Sequence, residues 1–87
     1  MILGIQIKAA RALLEMSQLE LSELAGLSLP TIIRLEAGKD GIKKANIETV
    51  MKIKEALEER GIKFLLPKEK GVLNGVGVRF VLDEKPE

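Results

Sequence analysis

The sequence predicts a mostly α-helical fold, four helices followed by a C-terminal pair of β-strands. Three observations carry this. Apolar residues recur at helical spacing from residue 5 to about residue 60. The runs open on cap residues (Ser17, Ser28, Asn46) and stop at glycines (Gly26, Gly38, Gly61). After Gly61 the period changes to the alternation of strands in Ile62-Lys-Phe-Leu-Leu66 and Val76-Gly-Val-Arg-Phe-Val-Leu82.

The first helix is predicted over residues 5–14, with Ile7, Ala10, Leu13 and Leu14 on one face and Lys8 and Arg11 between them. Ser17 and Glu20 have the spacing of a capping box, so a second helix begins at Gln18. Its inward face is Leu21, Leu24 and Ala25, with Glu20 and Glu23 outside. Gly26 stops it in a left-handed conformation. Ser28 starts a third helix only two residues later. Pro30 falls in its first turn, where a missing N–H costs nothing. Ile32 and Leu35 form its buried pair, and Gly38 closes it. The unit is helix, tight turn, helix.

Residues 39–45 are a loop. Asn46 caps a fourth helix reaching Arg60, whose inward face is expected to be Ile47, Val50, Met51, Lys54 and Leu57, widened by Ile53. Glu48 and Lys52 are spaced to pair on the wet side. The two strands form a hairpin. Asn74-Gly75 is a favoured turn dipeptide, although a two-residue turn there pairs Leu73 with Val76, so the register stays open. A two-stranded ribbon is marginal alone and must pack on helix four or on a second chain.

At 87 residues the chain is one domain with a thin core, the kind that gains from a partner. Residues 1–61 form the helical unit, 62–82 the strand extension and 83–87 a disordered acidic tail. Hydrophobic residues make up 46% of the chain, yet Phe64 and Phe80 are its only aromatics, so the core is aliphatic. The absence of cysteine and histidine excludes disulfides, thiol nucleophiles, the usual zinc motifs and His-based triads. No apolar run is long enough to span a membrane, and the first eight residues lack the features of a signal peptide, so a cytoplasmic location is expected. The acids are spread over loops and a wet helix face, and the glycines at 71, 75 and 77 do not form a phosphate loop. No enzyme activity, metal or cofactor is expected. The scarcity of aromatics disfavours binding of unpaired RNA bases.

A short helix held across another can enter the major groove while its neighbour rests on the backbone. Gln18, at the start of helix two, has N–H groups and an amide where a phosphate fits. Thr31 and Arg34 fall on the outer side of helix three, and Lys39, Lys43 and Lys44 follow within reach of phosphates. Each of these residues also has an ordinary surface explanation. The net charge of +1 shows no basic excess, so any basic stripe must come from folding.

The pattern Ala10-Arg11, Ser17-Gln18, Leu21, Leu24-Ala25-Gly26-Leu27-Ser28, Thr31-Ile32 and Arg34-Leu35-Glu36-Ala37-Gly38 resembles the Cro/C1-type (XRE-like) helix-turn-helix family over roughly residues 5–60. The resemblance implies a regulator that binds double-stranded DNA as a homodimer and represses or activates nearby genes. It implies helix three as the reading helix, Gln18 as a phosphate contact, and a partly buried ion pair between Arg11 and Glu36. The tail resembles a subgroup of short regulators ending in Gly-Ile-Lys-Phe, a glycine-rich turn and Val-Gly-Val-Arg-Phe. The chain departs from many relatives at the start of helix three, where Leu29, Pro30 and Ile33 replace polar residues. The base-reading face is then Ser28, Leu29, Pro30, Thr31, Ile33 and Arg34, with Arg34 its one candidate for a bidentate base contact and the apolar members suited to thymine methyls. A second reading makes the fold a protein-interaction module, or an antitoxin, whose toxin or other protein partner docks on the apolar face of helix three. Dimerisation is expected through Phe64, Leu66, Val78, Phe80 and Leu82, against the plainer account in which these residues fold back on helices one and four.

Overall fold

The computed structural model describes Ile2 and residues 4–37, 45–65 and 75–82. It contains α1 (Gly4–Leu14), α2 (Gln18–Ala25), α3 (Leu29–Glu36), α4 (Ile47–Glu58), β1 (Ile62–Leu65) and β2 (Gly77–Phe80). Lys39, Lys43, Lys44, Leu66, the Asn74 turn position and the 83–87 tail lie outside the described residues.

The helix ends follow the local chemistry. The Ser17 hydroxyl accepts from the Glu20 N–H at 3.0 Å, and the Glu20 carboxylate accepts from the Ser17 N–H at 2.8 Å. Two donors that a helix start leaves unpaired are thereby satisfied. At the other end Gly26 stands at φ 72°, with Leu27 N–H donating to Ser22 O and Gly26 N–H to Glu23 O. This doubly bonded exit needs a left-handed residue, and glycine enters that region without a Cβ penalty. Helix α1 ends the same way, with Met16 N–H on Arg11 O and Glu15 N–H on Ala12 O. There the left-handed residue is Glu15, at φ 56°.

The core is aliphatic and shared by all elements. Ile2, Ile7 and Ala10 meet Leu21, Ile32, Leu35, Val50, Ile53, Leu57 and Ile62. Two expectations for α4 are corrected. Ile47 and Met51 are 65% and 50% exposed, and the buried face is Val50, Ile53, Ala56 and Leu57. A 3.6-residue period centred on Val50 and Leu57 turns positions 47 and 51 out to the flank. The ion pair on this helix is Lys54–Glu58 at 2.9 Å, six residues beyond the expected Glu48–Lys52. On α2, Leu24 is half-buried, while Leu21 and Ser22 are fully buried. The Ser22 hydroxyl donates to Leu19 O at 2.7 Å, which explains how a serine sits there.

The hairpin is antiparallel, with Ile62 opposite Phe80, Lys63 opposite Arg79, Phe64 opposite Val78 and Leu65 opposite Gly77. The described pairing ends at Leu65 and Gly77, and the expected Leu73–Val76 pair around Asn74-Gly75 lies outside the described residues. Ile62, Phe64, Val78 and Phe80 point inward onto the helices, with β2 against α1 and β1 against α4. Of the residues expected to form a dimer contact, Phe64, Val78 and Phe80 are thus half-covered by their own core, and Leu82 is exposed.

Candidate nucleic-acid interface

Two features of α1 fix the angle of α3. Gly4 lies so close to the end of α3 that a methyl group there would overlap the Leu35 carbonyl oxygen and stand 3.3 Å from the Glu36 Cα. Glycine therefore sets the closest approach of the two helices. Seven residues on, Arg11 grips Glu36 with two parallel bonds, Nε to Oε2 at 2.7 Å and Nη2 to Oε1 at 2.8 Å. Its third nitrogen, Nη1, donates to the Met16 carbonyl at 2.9 Å in the α1–α2 connection. Bidentate geometry of this kind gives direction as well as energy.

The pair is secluded, with 15% of the Arg11 side chain and 3% of the Glu36 side chain exposed. The hydrogen bond to Glu36 raises the Arg11 pKa, against the lowering that burial alone would cause, so the guanidinium stays charged. Glu36 is the one acid on α3, and Arg11 neutralises it. The helix accordingly shows the solvent no unpaired negative charge.

Gln18 occupies the start of α2 and also joins this network, its Nε2 donating to Glu36 Oε1 at 3.2 Å. Ser17 and Glu20 satisfy each other's N–H groups, which leaves the Gln18 and Leu19 N–H groups at the open end of the helix. One side chain thus links a helix start suited to a phosphate with the carboxylate that orients α3.

On α3, Ser28 caps the helix. Its hydroxyl accepts from the Thr31 N–H at 3.3 Å and shares a 2.8 Å hydrogen bond with the Thr31 hydroxyl. Both hydroxyls are thus engaged locally. Ile32 and Leu35 are buried, while Pro30, Ile33, Arg34 and Ala37 are exposed on the opposite side; Leu29 and Thr31 are half-buried at its edges. The outward strip is therefore apolar apart from Arg34, and Ile33 is 46% exposed on it. Of the sequence-predicted residues, Gln18, Arg11 and Glu36 come together in one network. Ser28, Leu29, Pro30, Thr31, Ile33 and Arg34 share α3 and its cap.

Sequence reasoning missed two residues. Gly4 carries no local signal, because its role lies in a contact with residues 35 and 36. Gln6 is 2% exposed, and its Nε2 donates to Leu65 O at 3.1 Å and Gly77 O at 2.8 Å. A signal existed for it, since Gln6 falls next to Ile7 and four residues before Ala10, the two apolar residues on the inward face of α1.

Among the described residues, no group of His, Cys, Asp and Glu could hold a metal ion, and no helix is long and apolar enough to cross a membrane. No curated protein matches the chain. A helix-turn-helix family model of the Cro/C1 type matches residues 7–61, a span running from the first turn of α1 to the end of the α4 region. That match covers more than half of the chain and contains the Arg11–Gln18–Glu36 network together with the whole outward strip of α3: the chain belongs to the Cro/C1-type helix-turn-helix family of DNA-binding regulators.

Proposed function

We propose that this protein is a sequence-specific, double-stranded-DNA-binding transcriptional regulator that acts as a homodimer, as a repressor or autoregulator. The observation that carries this reading is the double hold of α1 on the C-terminal end of α3, by Gly4 against Leu35 and Glu36 and by Arg11 on Glu36, while the face opposite Ile32 and Leu35 stays outside. A helix fixed in this way can enter a major groove while Gln18 and the open N–H groups of α2 meet the adjoining phosphates.

The makeup of the strip defines what α3 reads. Arg34 bonds a guanine edge, and Leu29, Pro30 and Ile33 contact thymine methyl groups. Ser28 and Thr31, tied to each other, add little direct discrimination. Lys39, Lys43 and Lys44 supply further phosphate contacts. Shape and deformability of the duplex contribute the rest of the specificity. Residues 1–61 are the DNA-reading unit and residues 62–82 the dimerisation element. Among the described residues of that element, Leu65, Val81 and Leu82 are the exposed large apolar side chains open to a second copy, with Phe64, Val78 and Phe80 packed against the core. The protein works in the cytoplasm.

The same apolar strip supports a second reading, in which α3 docks a protein such as a toxin through Leu29 and Ile33. Selection of duplexes from a random pool, followed by mobility-shift titration, separates the two. Enrichment of a two-fold-symmetric site, with binding weakened about tenfold or more by Arg34→Ala, supports the regulator. Failure to enrich any site directs attention to a protein partner.

A further inference from the structure

Three contacts on α1 connect parts of the molecule far apart in the sequence. At Gly4 the backbone of α1 abuts Leu35 and Glu36 at the end of α3. At Arg11 the guanidinium grips Glu36. Between them Gln6, almost fully buried, donates from one nitrogen to carbonyls of both hairpin strands, Leu65 and Gly77, which lie directly opposite each other. Gly4 and Gln6 are only about 3 Å apart along the helix axis. The hairpin and the reading helix are therefore fixed to the same turn of α1.

The hairpin bonds have a particular character. Apolar packing of Phe64, Val78 and Phe80 holds the ribbon against the helices but is non-directional. The hairpin also carries a local conflict, because Lys63 and Arg79 are like charges placed directly across the strands. Gln6 supplies the directional tie that packing lacks, and it acts on the pair of residues next to the hairpin loop.

We propose that Gln6 is a positioning residue for DNA recognition: by locking the hairpin to α1, and through Gly4 to α3, it sets the separation of the two reading helices in the dimer. The inference rests on the dimeric reading of the proposed function. In such a dimer, half-sites are matched when the reading helices stand about 34–36 Å apart. A one-base-pair change in spacing moves a half-site by about 3.4 Å and about 35° around the duplex. A rigid connection through Gln6 rejects that change, and a loose one accepts it.

The test uses the full chain and a palindromic duplex selected by the wild-type protein from a random pool, beside duplexes with one base pair added or removed at the centre. The wild type is expected to bind the altered duplexes about tenfold or more weakly, the loss of well-placed contacts in one half-site. Gln6→Met, checked for helix content by circular dichroism, is expected to bind an isolated half-site as the wild type does, yet to distinguish the three spacings by less than about threefold. If Gln6→Met does not fold, Gln6→Asn provides the same reading, since it keeps the amide but is too short to reach both carbonyls. A wild type indifferent to spacing overturns the dimeric reading. A strict wild type with an equally strict, folded Gln6 variant overturns this inference alone. Failure of both variants to fold overturns it too, by making Gln6 a folding residue and not a positioning one.

Discussion

The hydrogen bonds between Arg11 and Glu36 hold the end of α3 to α1 while removing the helix's one negative charge from view. Desolvation offsets much of what such a pair gains, so its contribution is chiefly orientation. Arg11→Met leaves the Glu36 carboxylate secluded without its partner and is expected to cost about 3 kcal/mol in urea unfolding. The double variant Arg11→Met with Glu36→Leu is expected to recover most of that stability but not DNA specificity. Glu15 offers a prediction of opposite sign. It holds a left-handed φ of 56° in a helix exit otherwise identical to that at Gly26. Glu15→Gly removes the Cβ strain and is expected to raise stability by about 1 kcal/mol, net of the added freedom of the unfolded chain, seen as a higher Tm.

Among the elements, the strand pair packs with the helices, and the shared core shows it. Ile62, the first residue of β1, lies in one cluster with Ile7, Leu35, Ile53 and Leu57. Ile62→Ala is therefore expected to destabilise the whole molecule by about 2–5 kcal/mol in a single cooperative transition. The same change at Ile47, which stands exposed on α4, is expected to cost within about 0.5 kcal/mol. Most of the element pattern was legible in the sequence because caps are local. Ser17 with Glu20, Gly26, Ser28 with Pro30, and Asn46 each announce a boundary within four residues. The inward phase of α4 was not legible, since Ile47 and Met51 are as apolar as Val50 and Ile53, and only the neighbouring helices decide between them. The hairpin register was equally hidden. It is set by the inward packing of Ile62, Phe64, Val78 and Phe80, which places Leu65 opposite Gly77, twelve residues away, and no local signal announces that pairing. The outward strip of α3 could be read from spacing alone, but the engagement of Gln18 with Glu36 could not, because it joins residues eighteen apart on different helices.

At the scale of the whole molecule, the proposed function puts DNA reading on α3 and self-association on the strand extension. Leu82, at 65% exposure, contributes little to the monomer's core. Leu82→Ser is expected to leave monomer unfolding within about 0.5 kcal/mol of the wild type. In sedimentation equilibrium the same variant is expected to weaken dimerisation. The central claim, that the fixed outer face of α3 reads duplex DNA, is tested most directly by one titration. A labelled duplex selected by the protein and a scrambled duplex of equal composition are each titrated across a salt series, with fluorescence anisotropy as the readout. If α3 reads duplex DNA, the selected duplex is bound about a thousandfold or more tightly than the scrambled one at physiological salt, and the logarithm of both affinities falls linearly with log salt as phosphate contacts release counterions. Equal, weak binding of the two duplexes at every salt concentration would contradict it.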